Sequence, residues 1–98
     1  MSAADLLAAW HDNLALTRRR SPHTVRAYVA TAARLLEAVD ASTWPALARL
    51  EATDLRRQLA ERRAEGIGNV SAARELSALK AFLAFARGNA GLADPAGG

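Results

Sequence analysis

The chain has 98 residues, 51% of them hydrophobic and 23% charged, which suits one globular domain rather than a disordered segment. It has no cysteine, which excludes disulfides and thiolate metal sites, and no apolar run approaches the roughly 18 residues that span a bilayer. The formal net charge is +3, and the N-terminus carries no basic stretch ahead of an apolar one, so no signal peptide is expected and the expected compartment is the cytoplasm.

Four helices are expected in chain order. The first runs from about Ala3 to Thr17, with Ser2 as N-cap and Asp5 in the reciprocal position three residues on. Leu6, Leu7, Trp10 and Leu14 recur at helical spacing and give it one apolar face. The triple arginine Arg18-Arg19-Arg20 follows, and then Ser21-Pro22. A serine hydroxyl suits an N-cap, and proline suits the first helical position, where its fixed φ fits and no N–H is needed. The second helix therefore runs from Pro22 to about Val39, with Val25, Tyr28, Val29, Ala32, Leu35, Leu36 and Val39 as its apolar stripe. His23, Arg26, Ala30, Arg34 and Glu37 lie off that stripe, toward solvent or a ligand.

Residues 40–52, interrupted by Pro45, read as a connector with a single helical turn, anchored by Trp44, Leu47 and Leu50. Thr53 is the expected cap of the third helix, about Asp54 to Glu65, with Leu55, Leu59 and Ala60 on its inner side. Gly66-Ile67-Gly68 stops it, Gly66 taking the usual post-helix position and Ile67 packing inward. The fourth helix starts at Asn69 or Ser71 and continues to about Arg87, its inner side being Ala72, Leu76, Leu79, Phe82, Leu83 and Ala86, with Phe85 beside it. Gly88-Asn89-Ala90-Gly91 ends it, and residues 92–98 read as a linker. No strand pattern and no fixed-period repeat appears, so the fold is read as an all-α bundle with Tyr28, Leu36, Leu59, Leu76, Leu79 and Phe82 buried together.

Catalysis needs positioned acids, bases, nucleophiles or metals, and little of that is present. His11 and His23 fall on different helices, and no His/Asp/Glu cluster has metal-ligand spacing, so neither metal nor cofactor is expected. Gly66-Ile67-Gly68 lacks the strand, third glycine and lysine of a phosphate-binding loop. Tyr28, Trp10 and Trp44 read as core or interface aromatics, and the chain is not expected to be an enzyme. Charge is more telling: residues 1–17 carry −2, 18–34 carry +5, 35–55 carry −3 and 56–74 carry +3. Two basic segments either converge on one anion-binding patch or lie apart on an ordinary mixed surface.

Ser21-Pro22-His23-Thr24 with Tyr28 four residues on, followed by Leu35-Leu36, resembles the N-terminal core-binding domain of tyrosine recombinases and phage integrases. Leu76-Ser77-Ala78-Leu79-Lys80-Ala81-Phe82, within the block from Gly66 to Leu83, is similar to the Leu-Ser-Ala-Leu-(Arg/Lys)-x-Phe helix of that domain, and Asp94-Pro95-Ala96 to the Asn/Asp-Pro that ends it. The likeness covers about residues 4–96, in the family's order and spacing, and is nearest to the Xer branch, which resolves chromosome dimers. It implies a four-helix, SAM-like orthogonal bundle over residues 1–91 that forms half of a C-shaped clamp on DNA. Residues 92–98 would begin the linker to a catalytic domain absent from this chain, so the domain alone would be non-catalytic. The implied partners are double-stranded DNA and other recombinase protomers in a synaptic complex, with no membrane role, in DNA integration or chromosome dimer resolution.

In that family the second and fourth helices face the major groove. Carried onto matching positions, this implies DNA contacts from Ser21, His23, Thr24 and Arg26 at the start of the second helix, and from Asn69, Ser71 and Arg74 at the start of the fourth, with Lys80 farther along. The residues' own chemistry agrees: Arg26 can reach phosphate or a guanine edge, and Ser21, Thr24 and Ser71 suit backbone contacts. The plainer reading makes Thr24 a helix-start residue, pairs Arg74 with a nearby acid, and leaves Arg18–Arg20 and Arg56, Arg57, Arg62 and Arg63 as solvated surface. Glu75 departs from a position commonly basic in the family, so a phosphate contact there would fall to Arg74. Leu7, Trp10 and Leu14 of the first helix are the implied protomer interface. The alternative to DNA binding is a helical protein-interaction module that docks a partner through exposed Trp10 or Leu14.

Overall fold

The computed structural model describes residues 2–91, which form five α-helices and one π-helical segment with no strand among them. Helix α1 spans Ala3–Asp12. The Ser2 hydroxyl accepts from the Asp5 N–H at 3.2 Å, and the Asp5 carboxylate accepts from the Ser2 N–H at 3.0 Å, the reciprocal cap that the sequence announces. Helix α1 does not run on to Thr17 as an α-helix. Asn13–Thr17 is π-helical, with the Arg18 N–H donating to the Asn13 carbonyl and the Arg20 N–H to the Leu14 carbonyl, both at 2.9 Å. This wider turn keeps Leu14 in the core while Leu16 stands 71% exposed, and the chain leaves it through Arg19 in the left-handed region, at φ 52°.

Helix α2 spans Pro22–Ala38 and starts where Ser21-Pro22 predicts. Val25, Ala32 and Leu35 are buried, while Tyr28, Val29 and Leu36 pack half-buried against them, so Tyr28 and Leu36 flank the core rather than fill it. The connector is more ordered than expected. Helix α3, Trp44–Ala48, is capped by the Thr43 hydroxyl, which accepts from the Ala46 N–H at 3.2 Å. Pro45 lies in its first turn, where a missing N–H costs nothing, so it begins a helix instead of interrupting one. The bundle thus has five α-helices rather than four.

Helix α4 spans Ala52–Ala64, and its N-cap is Glu51, not Thr53. Asp54 decides this: its carboxylate accepts from the Glu51 N–H at 2.8 Å, which is possible only from the third helical position. Leu55 is buried and Leu59 half-buried, but Ala60 is exposed, because α4 turns only a narrow face inward. Gly66 ends the element at φ 103°, a conformation open to glycine at little cost, and Ile67 is half-buried.

Helix α5, Asn69–Asn89, is the spine of the fold and packs against α2, α3 and α4. Ala72, Glu75, Leu79, Phe82 and Ala86 are buried, a seam recurring every three or four residues. Leu76 falls one position off this seam and is only half-buried, while Glu75 takes the inward position that the sequence reading gave to Leu76. At the C-terminal end of α5, Phe82 and Phe85 meet Trp10 at 5.5 and 5.1 Å between ring centroids, and Trp44 at 6.3 and 5.2 Å. Trp10 is 2% exposed and Leu14 1%, so the expectation that they present a docking surface is corrected: the thin, alanine-rich core needs their bulk, and only half-buried Leu7 reaches the edge. The predicted linker, residues 92–98, lies outside the described residues.

Candidate nucleic-acid interface

Two helix starts frame the site. At α2 the Ser21 hydroxyl accepts from the Thr24 N–H at 3.2 Å and donates to Thr24 Oγ1 at 3.0 Å, so Ser21 is spent on the cap and the Thr24 hydroxyl keeps a proton to donate outward. At α5 the N-cap is Gly68, which offers no side chain, and Asn69 Oδ1 accepts from Arg63 Nη1 at 2.9 Å. Neither helix has an acidic residue in its first turn, so the positive end of each helix dipole is left uncompensated.

Between α2 and the first half of α5 lies an open groove of about 700 Å³. His23, Thr24, Ala27, Tyr28 and Arg34 line it from α2, Ser71, Arg74, Glu75 and Ser77 from α5, and Arg62 from α4. Four residues predicted from the sequence, His23, Thr24, Ser71 and Arg74, therefore share one surface. The others do not line it. Ser21 and Asn69 sit at the helix starts in capping or bracing roles. Arg26 opens onto a separate groove with His11, Ala15, Arg20 and Pro22, between α2 and the α1 segment, and Lys80 is exposed farther along α5.

The floor of the α2–α5 groove is ionic. Arg34 Nη2 donates to Glu75 Oε1 at 2.9 Å and to Thr31 Oγ1 at 3.2 Å, and Arg62 Nε donates to the same Glu75 oxygen at 2.9 Å. Arg62 also pairs with Glu65 at the rim. Glu75 is 9% exposed, and a carboxylate that deep is tolerable only when paired. The hydrogen bond that Arg62 donates to Glu75 raises that guanidinium's pKa above its usual value. Arg34 and Arg62 share Glu75 Oε1, and the neighbouring Arg74 makes no ion pair with that carboxylate. Among the described residues Arg74, Arg26, Arg18, Arg19, Arg20 and Lys80 make no ion pair.

Arg34 and Arg62 are the site residues that sequence reasoning missed, one passed over as merely off the apolar stripe and the other as surface. The available signal was Glu75 itself: an acid on the inner seam of a helix demands a buried cation from elsewhere. Among the described residues there is no group of three or more potential metal ligands and no helix long and apolar enough to cross a membrane.

The groove thus joins residues from two helix starts to a paired ionic floor and to Arg74, which makes no ion pair among the described residues. The chain belongs to the family of phage integrase N-terminal SAM-like domains, whose model matches residues 7–89. This is the non-catalytic, core-binding part of tyrosine recombinases. Among individual proteins the chain is similar to the tyrosine recombinase XerC of Methylobacterium sp. (strain 4-46), with 41% identity over 87 residues, covering 82% of this chain. It spans 27% of the length of that relative. No solved structure matches it.

Proposed function

We propose that this domain binds double-stranded DNA as the non-catalytic arm of a Xer-like, site-specific tyrosine recombinase, setting the starts of α2 and α5 against the core recombination site during DNA integration or chromosome dimer resolution. The observation that carries the reading is the convergence of His23, Thr24, Ser71 and Arg74 on one groove, Arg74 making no ion pair among the described residues. Arg74 supplies a charged contact to phosphate, and the Thr24 and Ser71 hydroxyls supply neutral ones. Arg26, on the flank with Arg20, extends the cationic surface around α2. Asn69 at the start of α5 and exposed Lys80 farther along it belong to the same proposal as flanking contacts. Contact with other recombinase protomers belongs to the same proposal, though not through Trp10 and Leu14, whose burial also removes the anchors of the protein-interaction alternative.

The test is titration of a labelled duplex carrying a Xer-type site, beside a scrambled duplex, at two salt concentrations. Binding is expected to be weak, micromolar or poorer near physiological salt, and to fall steeply as salt rises, because one face of a small domain neutralises few phosphates. Arg26→Ala, if Arg26 reads a base, relaxes the preference for the site by about 1–3 kcal/mol, whereas a phosphate contact weakens both duplexes alike. Absence of binding at low salt would contradict the proposal.

A further inference from the structure

We infer that the floor of the α2–α5 groove is a seat for one backbone phosphodiester, built by Arg34, Arg62 and Arg74 from three helices, with Glu75 as the residue that positions the first two. This deepens the DNA-binding proposal and rests on it. The groove gathers three arginines against Glu75, with Glu65 pairing Arg62 at the rim, so a positive surplus remains even without counting His23. Arg34 Nη2 and Arg62 Nε reach the same Glu75 oxygen at 2.9 Å, which holds two like-charged guanidiniums side by side.

One carboxylate cannot satisfy two groups that each carry five N–H donors. Arg34 Nε is buried with no partner, although the Arg34 side chain as a whole is 34% exposed and lines the groove. Among the described residues one carboxylate lines the groove, with Oε1 engaged twice; beside it the walls carry mainly donors, the remaining guanidinium N–H groups and the hydroxyls of Thr24, Ser71 and Ser77. A surface of charged donors selects a ligand of acceptors with negative charge. A phosphate meets that description, with oxygens that arginine forks match in pairs. Glu75 does not touch the phosphate; it fixes where the forks point.

The experiment measures duplex affinity against salt for the wild-type domain and for Arg34→Gln, Glu75→Gln, Glu75→Asp and the exposed control Arg56→Gln, with folding checked by thermal melting. In parallel, inorganic phosphate and chloride are compared at equal ionic strength for their effect on the wild-type melting temperature. Arg34→Gln is expected to lower the salt slope by about one unit and to weaken site and scrambled duplexes by the same factor, while Arg56→Gln leaves the slope unchanged. Glu75→Gln is expected to weaken binding although it makes the domain more positive, and Glu75→Asp to restore part of the loss. Phosphate should raise the wild-type melting temperature more than chloride does, and Arg34→Gln should abolish the difference.

Tighter binding by Glu75→Gln would show that Glu75 only screens charge, and would overturn its positioning role. A wild-type slope in Arg34→Gln, in a domain that still binds DNA through Arg74, would overturn the seat and leave the DNA proposal standing. Phosphate stabilisation that depends on Arg34 in a domain that binds no duplex would make the ligand a free anion and overturn both. Should Arg34→Gln fail to fold, Arg62→Gln removes the charge of the second guanidinium, and an unchanged slope there would equally count against the seat.

Discussion

The two ends of α5 are built on opposite principles. Its C-terminal half is aromatic: Phe82 and Phe85 pack on Trp10 and Trp44, and among the described residues no charged side chain is buried there. Its N-terminal half packs just as regularly, but the inward position is Glu75, held by arginines from α2 and α4. One helix therefore supplies both the stability of the fold and the ionic floor of the groove. The difference teaches that in a small alanine-rich bundle the aromatic end can carry cohesion, leaving the other end free to keep charges.

The comparison breaks first if the aromatic end does not dominate stability. Phe82→Ala should cost about 3–5 kcal/mol in denaturant unfolding, because it removes a fully buried ring from the centre of the cluster. Leu76→Ala, off the seam and half-buried, should cost less than about 2 kcal/mol, below the range for a fully buried leucine. Equal losses would mean that the seam is misassigned. Next comes the ionic end: Glu75→Ala should cost about 1–3 kcal/mol by the same measurement, the guanidiniums being left to face each other in an open groove that water partly relieves.

Smaller effects test the segment leading to α2. Arg19→Gly should stabilise the domain by about 0.5–1 kcal/mol, since relief of the left-handed backbone outweighs the extra freedom of the unfolded chain. The smallest concerns Asp5, whose carboxyl is held below its usual value by the hydrogen bonds from Ser2, the backbone N–H first. A lowered folded pKa means that the cap's contribution is present above the ordinary carboxylate range and is lost as pH falls through the folded value. In a circular-dichroism acid titration, α1 helicity should fall only below about pH 4, and Asp5→Asn should flatten that step.

Much of this was legible in the chain. Ser2 with Asp5, Ser21-Pro22 and Gly66 mark element boundaries through local chemistry, and local chemistry survives folding. The π-helical turn was not legible, because it depends on Leu14 staying in the core while Arg19 turns back. Leu76 was placed inward because leucine is apolar and glutamate is not. Only the arrival of Arg34 and Arg62 from distant parts of the sequence makes the opposite choice affordable. The same long-range fact separates Arg26 from Arg74: both lie near helix starts, yet they open onto different grooves.

The most direct test of the central claim is an amide chemical-shift map of the domain titrated with duplex DNA at low salt. The account predicts changes concentrated at residues 21–24 and 68–75, with the Arg34 and Arg62 side-chain Nε–H signals moving as well, while the amides around Trp10, Trp44 and Phe85 stay still. Changes centred on Leu16 and the α1 segment, or on the aromatic end of α5, with the α2–α5 groove silent, would contradict it.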